Sequence, residues 1–447
     1  MTTKINMRNL FYGLLITLHL LGFLKQCFFP NLLTLDSDDY ILLAENINNL
    51  GVPYSGKIGL SDTIQNLNNK GLFASRPILY SLFLTLTGGV GLSLYLSLLV
   101  QNILSCFSIF FIEKIFVSRG FKINFKWAFL GLIFFTTLCI VSILIMAETV
   151  FMFLLCLSLY FLLSKRKQYV LSATFLSLAM LTKPVLVFVI FIWCVIFLWY
   201  ALKKKKPMLL ALSLIPLITV LLQIAMNYHY TKAVIVSSMP GINLVQYNAY
   251  FTLSKKYGAD SAGRWVDHMD RAGVSLEKST DFKTAYNFKK DNAIKVVLTN
   301  WQTYFVIHSL GSSRWFFDPG RFDVLNFFKL YAEDGNEGWT RTFYAKGVTG
   351  VYERMKSENM LLLISILLIF LWNFVRMARL LWASKHLKND SFLFAVFVFL
   401  LLYFAGTAGP VATARFLLPA FPVILFWSSL SINPKKDEET PTAVPEL

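Results

Sequence analysis

Long apolar runs separated by short polar stretches make up most of this chain. Several runs reach about 18 residues or more, the length at which a helix can cross a bilayer core about 30 Å thick. Backbone amides cannot stay unpaired in lipid, so runs of this kind must be helical. The pattern predicts an all-α polytopic membrane protein with about ten spans, near residues 9–29, 78–116, 127–146, 148–163, 169–182, 184–202, 208–226, 359–381, 391–409 and 412–430.

Two polar interruptions, residues 30–77 and 227–358, are too long to be simple turns. Four of the ten tryptophans lie in the second, which favours a packed domain over a loose linker. The run at 78–116 is too long for one span, and its glycines near residue 90 predict a short membrane-associated helix, a break and then the span proper. The predicted parts are a transmembrane core at 1–226 that includes the loop 30–77, a segment at 227–358, further transmembrane helices at 359–432 and a disordered tail at 433–447.

Charge orients this arrangement. Only 15% of the 447 residues are charged, against about 25% in soluble proteins. The net charge of +17 lies largely in short patches between apolar runs, the distribution of cytoplasmic loops rather than of a nucleic-acid surface. We therefore expect no nucleic-acid partner, cytoplasmic termini, and both long segments on the outer side. The patches are Lys4 and Arg8; Lys114, Arg119, Lys122 and Lys126; Lys165 to Lys167; Lys203 to Lys206; Arg376, Arg379, Lys385 and Lys388; and Lys435 and Lys436.

Two further compositional features concern location and cofactors. The first run begins with basic residues but lacks a small-residue cleavage site, so it is predicted to be a retained anchor. Abundant Lys, Asn, Ile and Phe are typical of an AT-rich bacterial genome, which indicates a bacterial cytoplasmic membrane. The five cysteines lie in or beside apolar runs without metal-ligand spacing, and His229 and His308 have no ligand partner at a telling spacing. Nothing supports a cofactor or a nucleotide motif, and a divalent metal stays an open alternative.

Charged residues of both signs recur where predicted outer loops meet the membrane. Charges at this boundary are costly unless they are paired or functional. An outward carboxylate can take a proton from an acceptor, and neighbouring cations can hold a departing phosphate. This chemistry suits transfer of a group from a membrane-anchored phosphate lipid. The residues are Asp36, Asp38, Asp39, Arg76, Glu148, Lys183 and Arg415.

Each of these residues also has a simpler explanation. Ser37 or Asp38 would cap a helix that continues through Tyr40 and Ala44. Glu148 would cap the fourth predicted span. Lys183 would extend its ammonium group to the membrane surface, as a snorkelling lysine does. Arg76 and Arg415 would bind lipid headgroups. The sequence leaves these alternatives open beside the catalytic one.

The order and spacing of these residues resemble the multi-spanning C-type (GT-C) glycosyltransferases. The closest resemblance is to the branch that contains the dolichyl-phosphate-mannose–protein mannosyltransferases and the bacterial aminoarabinose transferases. Its matching elements are an acidic start of the first outer loop, an Arg-Pro-x-x-Tyr end of that loop, a Glu that opens a middle span, a basic residue before Pro, and a late Arg-aromatic-Leu-x-Pro-x-x-Pro segment. The matching residues are Asp36, Ser37, Tyr40 and Ala44; Arg76, Pro77 and Tyr80; Glu148; Lys183 and Pro184; and Arg415, Phe416, Pro419 and Pro422.

The resemblance covers roughly residues 10–230 and 395–430. The chain departs from the family pattern at two positions. Ser37 stands where a second acid is common, and that acid has here shifted to Asp38 or Asp39. Lys183 stands where Arg is common. The resemblance implies a membrane glycosyltransferase with Asp36 as general base, secondary acids at Asp38, Asp39 and Glu148, and substrate-binding roles for Tyr40, Arg76, Tyr80, Lys183 and Arg415.

The resemblance also implies partners and a stereochemical course. The donor would be a polyprenyl-phosphate sugar, and the acceptor an envelope glycan or glycolipid such as lipid A or a surface polysaccharide. Transfer would be a single displacement with inversion on the outer face. Two rivals remain: a non-enzymatic flippase for lipid-linked saccharides, and a polymerase of lipid-linked repeat units.

Overall fold

The fold is helical throughout the residues that the computed structural model describes, which are 6–34, 36–59, 67, 70–88, 94–165, 167–205, 207–328, 339–356 and 360–431. In these ranges the β-structure is limited to an isolated antiparallel bridge between Ile123 and Leu430. The N-terminal helices are α1 (Met7–Phe28), α2 (Ser37–Leu50), α3 (Leu79–Leu86), α4 (Leu94–Ser118), α5 (Phe125–Ile133), α6 (Thr137–Ser142), α7 (Glu148–Leu163), α8 (Tyr169–Thr182), α9 (Val187–Lys204) and α10 (Pro207–Thr231). The remaining helices are α11 (Met239–Asn243), α12 (Tyr250–Tyr257), α13 (Ala259–Ser279), α14 (Phe282–Thr299), α15 (Trp301–Phe317), α16 (Arg321–Phe327), α17 (Trp339–Lys356), α18 (Met360–Leu387), α19 (Ser391–Ala408), α20 (Ala414–Leu417) and α21 (Phe421–Ser428).

The predicted all-α polytopic class is confirmed, but the count of about ten spans is not. Within the described residues, six helical stretches are long and apolar enough to cross a membrane. They are Met7–Phe28, Leu94–Ser118, Pro184–Lys204, Pro207–Thr231, Met360–Leu387 and Ser391–Val411. Three shorter apolar helices, Glu148–Leu163, Tyr169–Thr182 and Ala414–Ser428, complete the apolar bundle.

The predicted span at 127–146 is in fact two helices, α5 and α6, and a non-helical turn at 143–147 follows. The polar side chains of α4 explain where α6 ends. Gln101 donates to the carbonyls of Ser142 and Leu144 at 3.2 and 2.9 Å, and Asn102 donates to Ser142 at 3.3 Å. Backbone groups freed by the break are thus satisfied inside the protein, as irregular backbone at membrane depth requires.

Helix ends gather at two opposite faces of the bundle. At one, Arg8 pairs with Glu113, Arg119 pairs with Asp390 at 2.9 Å, and Asn124 N–H donates to Ser429 at 2.7 Å. We call this the basic face. The opposite ends of α1 and α4 meet the turn at 143–147, and we call this end, which carries Asp36, the site face. The assignment of the basic face to the cytoplasm stays a prediction.

The segment 227–358 packs into helices with a small core of their own, built from Val245, Ala249, Val266, Met269 and Ala293. It is joined to the loop 30–77, because Ser238 N–H donates to Ala74 at 2.7 Å and Phe73 stacks on Tyr230 with ring centroids 4.4 Å apart. The break predicted near residue 90 separates α3 from α4, although residues 89–93 lie outside the described residues. The tail at 433–447 also lies outside them.

Candidate active site

The carboxyl group of Asp36 lies at the start of α2. Asp36 is the N-cap residue, and its side chain makes no capping hydrogen bond. The prediction that Ser37 or Asp38 caps this helix is therefore wrong. The Ser37 hydroxyl instead donates to the carbonyl of Ile145 at 2.8 Å, which ties the loop to the turn before α7. The Asp36 carboxylate is left free to meet cations.

Two arginines meet that carboxylate. Arg76 Nη2 lies 2.7 Å from Asp36 Oδ1, and Arg76 Nε lies 3.0 Å from Asp39 Oδ2. Arg415 Nη2 lies 3.3 Å from the other oxygen of Asp36, Oδ2. The two carboxylate oxygens therefore contact different guanidinium groups, one held closely and the other more loosely.

Glu148 extends this network from the first turn of α7. It is buried, and its Oε1 lies 2.8 Å from Lys183 Nζ and 3.7 Å from Arg415 Nε. Lys183 stands between α8 and the turn that begins α9, where Pro184 prevents continuation of the preceding helix. A role for Glu148 as a helix cap and for Lys183 as a snorkelling lysine would not account for the ion pair between them.

The structure separates the three neighbouring aspartates. Asp36 and Asp39 join the network, whereas Asp38 is exposed and forms no ion pair with a described residue. Three carboxylates, Asp36, Asp39 and Glu148, thus face three cations, Arg76, Lys183 and Arg415. We call these six residues the charge cluster, and its formal charge is zero.

Two tyrosines lie behind the charge cluster. The Arg76 guanidinium carbon is 5.2 Å from the centre of the Tyr40 ring, and Tyr40 meets Tyr80 edge to face at 4.8 Å. Tyr80 is fully buried, and its hydroxyl donates to Gln101 Oε1 at 2.6 Å. Gln101 also donates to the carbonyls of Ser142 and Leu144, in the turn before Glu148. It therefore connects the tyrosines behind Arg76 with the segment that positions Glu148. Tyr80 supports the site in this structure and does not line its surface.

The cations determine the ionisation of Asp36. Burial alone would raise the pKa of its carboxyl group, but Arg415, Arg76 and Lys183 lower it below the ordinary aspartate value. Opposite charges within a few ångströms favour the ionised form in this way. Asp36 is therefore ionised at neutral pH, and its proton affinity is low while both arginines contact it.

Sequence reasoning missed another carboxylate beside the cluster, Asp323 of α16. It is buried and accepts a hydrogen bond from Thr137 Oγ1 at 3.3 Å. Asp323 interacts electrostatically with Arg415, which puts it beside the charge cluster. Gly320, with a positive φ of 72°, lets this turn approach, because a Cβ there would lie 2.6 Å from Thr137 Oγ1 and 3.4 Å from the Ala414 Cβ.

Other candidate sites do not join the cluster. The described residues contain no group of three or more His, Cys, Asp or Glu side chains able to hold a metal ion. His308 lies against Gly406 and Tyr304, and His229 is exposed at the end of α10. No protein-family model, curated protein or solved structure matches the chain.

Proposed function

We propose that the chain is an integral membrane glycosyltransferase that moves a sugar from a polyprenyl-phosphate donor to an envelope glycan or glycolipid. The observation that carries this proposal is the convergence of Asp36, Arg76, Glu148, Lys183 and Arg415 from five separate stretches of sequence. Their distances and charges supply a carboxylate and several cations at one end of a membrane bundle. The resemblance to GT-C enzymes rests on these same residues.

The cluster suggests how donor binding would activate the base. Arg415 is the most loosely held of the three cations, at 3.3 and 3.7 Å from its carboxylate partners. A donor phosphate can compete for its forked donors, which bind two phosphate oxygens at once. Withdrawal of Arg415 toward phosphate removes one stabilising cation from Asp36. The proton affinity of Asp36 then rises only when donor is bound.

The transfer step follows from these positions. The acceptor oxygen attacks the anomeric carbon, and its proton passes to the Asp36 carboxylate. The bond between that carbon and the phosphate oxygen breaks, and its electron pair stays on the oxygen. Negative charge therefore grows on the phosphate, where Arg415 and Lys183 stabilise it. This single displacement needs only one base, and it inverts the configuration at the anomeric carbon.

The proposed setting is the outer face of a bacterial cytoplasmic membrane, with both termini in the cytoplasm. Basic residues at the face opposite Asp36 support this orientation. A flippase for lipid-linked saccharides would need comparable access from both faces, whereas the long segments 30–77 and 227–358 are associated with the Asp36 end. A repeat-unit polymerase would share the site but use a longer saccharide on a pyrophosphate lipid.

Mass spectrometry of envelope glycans from a strain that lacks the chain tests this proposal. We expect the loss of one sugar substituent, restored by the wild-type chain and by Asp38→Asn but not by Asp36→Asn at equal abundance. Loss of whole saccharide units with accumulation of their lipid-linked precursor would instead indicate the flippase. Glycans shortened to single repeat units would indicate the polymerase, and unchanged glycans would contradict all three functions.

A further inference from the structure

Helix α15 lies against two of the helices that are apolar enough to cross a membrane, α18 and α19. His308 Nε2 lies 2.8 Å from the carbonyl of Gly406, near the end of α19. One turn further along α15, Gly311 packs its backbone on Gly409 so closely that a Cβ at Gly311 would collide with the Gly409 carbonyl. The backbone of α15 therefore packs directly on the backbone at the end of α19.

The end of α15 reaches the middle of α18. Asn373 Nδ2 donates to the carbonyls of Phe317 and Asp318 at 3.2 and 3.3 Å, and Phe317 stacks on Phe374 at 4.4 Å. At 1.5 Å per residue, Asn373 is about 20 Å from either end of α18. If α18 crosses the bilayer, the end of α15 lies at about half its depth.

The other side of α15 exposes a stripe of large apolar side chains. Trp301, Phe305, Val306 and Leu310 have exposed fractions of 60%, 65%, 54% and 46%. No charged residue occurs from Trp301 to Ser313. A contiguous apolar stripe of this kind marks contact with a membrane or a partner. By contrast, the amphipathic helix α13 exposes charged residues such as Arg264, Asp267 and Arg271.

Charged groups and turn amides at the inner end of α15 find partners within the protein. Arg314 Nη2 pairs with Asp318 Oδ2 at 2.9 Å, and Asp318 Oδ1 accepts from Gly320 N–H at 2.7 Å. The chain then returns through α16 toward the end of α1, where Lys25 and Asn31 both donate to the carbonyl of Phe327. Irregular backbone inside a membrane is tolerated when it is covered in this way.

We propose that α15 is a re-entrant helix that enters the bilayer from the site face, ends near its middle, and contacts lipid through Trp301 at the interface and through Phe305, Val306 and Leu310 further in. Trp301 lies at the entry end, where tryptophan is enriched at membrane interfaces. The sequence predicted that the segment 227–358 lies wholly on the outer side of the membrane. Under this proposal, part of that segment enters the membrane. This inference concerns lipid contact alone, so it stands or falls independently of glycosyl transfer.

Depth-dependent quenching tests the proposal. Single cysteines at Phe305, Leu310 and Val274 are introduced into a variant without the five native cysteines, labelled with bimane and reconstituted in phosphatidylcholine vesicles. Val274 is the matched control, because it is an apolar residue of α13 with 52% exposure. Doxyl lipids should quench the labels at 305 and 310 but not at 274. Leu310 lies about 7 Å further along α15, so a deep doxyl group should quench it more strongly than a shallow one.

An impermeant thiol reagent supplies the second measurement, made on unlabelled single-cysteine proteins in the same vesicles. It should modify position 274 and leave 305 and 310 unmodified. Modification at 305 as fast as at 274 would mean that the stripe faces water and would overturn the proposal. Protection at 305 without lipid quenching would mean that protein covers the stripe, which would overturn it equally. If Phe305→Cys fails to fold, Val306→Cys replaces it.

Discussion

Replacing Arg415 by lysine separates charge from geometry at the loosest ion pairs of the cluster. The guanidinium group directs Nη2 toward Asp36 and Nε toward Glu148, so it contacts the two carboxylates with different nitrogens. A lysine keeps the charge but acts as a single point donor. Loss of one charge-assisted hydrogen bond costs about 1.5–3 kcal/mol, which corresponds to about a 10- to 150-fold loss of rate.

The assay is transfer from a synthetic polyprenyl-phosphate sugar by purified protein, normalised to folded protein. Because Arg415 is proposed to stabilise charge that grows on the phosphate, Arg415→Lys should lower kcat as well as kcat/KM. Arg415→Ala should lower both further. Arg271→Lys, on the exposed surface of α13, is the control and should keep wild-type rates. A fully active Arg415→Lys, or a loss that follows protein abundance alone, would refute the reasoning.

The remaining predictions concern two other charged groups. Lys183→Arg should keep most of the transfer activity while Lys183→Ala loses it, because Lys183 Nζ is the nearest cation to Glu148 at 2.8 Å; equal rates for both would contradict this. Since the pKa of Asp36 is lowered, kcat/KM should stay level across neutral pH and fall only in acid, below the range in which an ordinary aspartate titrates, as a pH–rate profile would reveal.

The sequence predicted the members of the charge cluster better than their contacts. Loop ends and span ends can be located from hydropathy and charge, which brought Asp36, Arg76, Glu148, Lys183 and Arg415 to one predicted layer. Pairing is different, because it depends on side-chain direction. Nothing in the spacing distinguishes Asp39, which pairs with Arg76, from exposed Asp38.

The errors have physical causes as well. Apolar composition does not reveal where a helix breaks, so it predicts one span at 127–146 where the structure has two helices, α5 and α6. The end of α6 depends on Gln101 and Asn102 of α4, which bind the Ser142 carbonyl there. Asp323 was missed because α16 lies far along the chain in a segment with no recognisable motif. Its approach to Arg415 depends on the turn at Gly320, whose positive φ suits glycine. A signal was available in the Asp-Pro-Gly sequence at 318–320, which is typical of a turn.

The most direct measurement of the central claim is product formation by purified protein in vesicles that contain a radiolabelled polyprenyl-phosphate sugar and an envelope glycolipid acceptor. Wild-type protein and Asp38→Asn should form the glycosylated acceptor. Asp36→Asn should be slower by about 10²–10⁴-fold, the usual contribution of a positioned base, while its abundance and folding stay normal. Transfer by Asp36→Asn at the wild-type rate would contradict the assignment of Asp36 as the base on which the proposed mechanism depends.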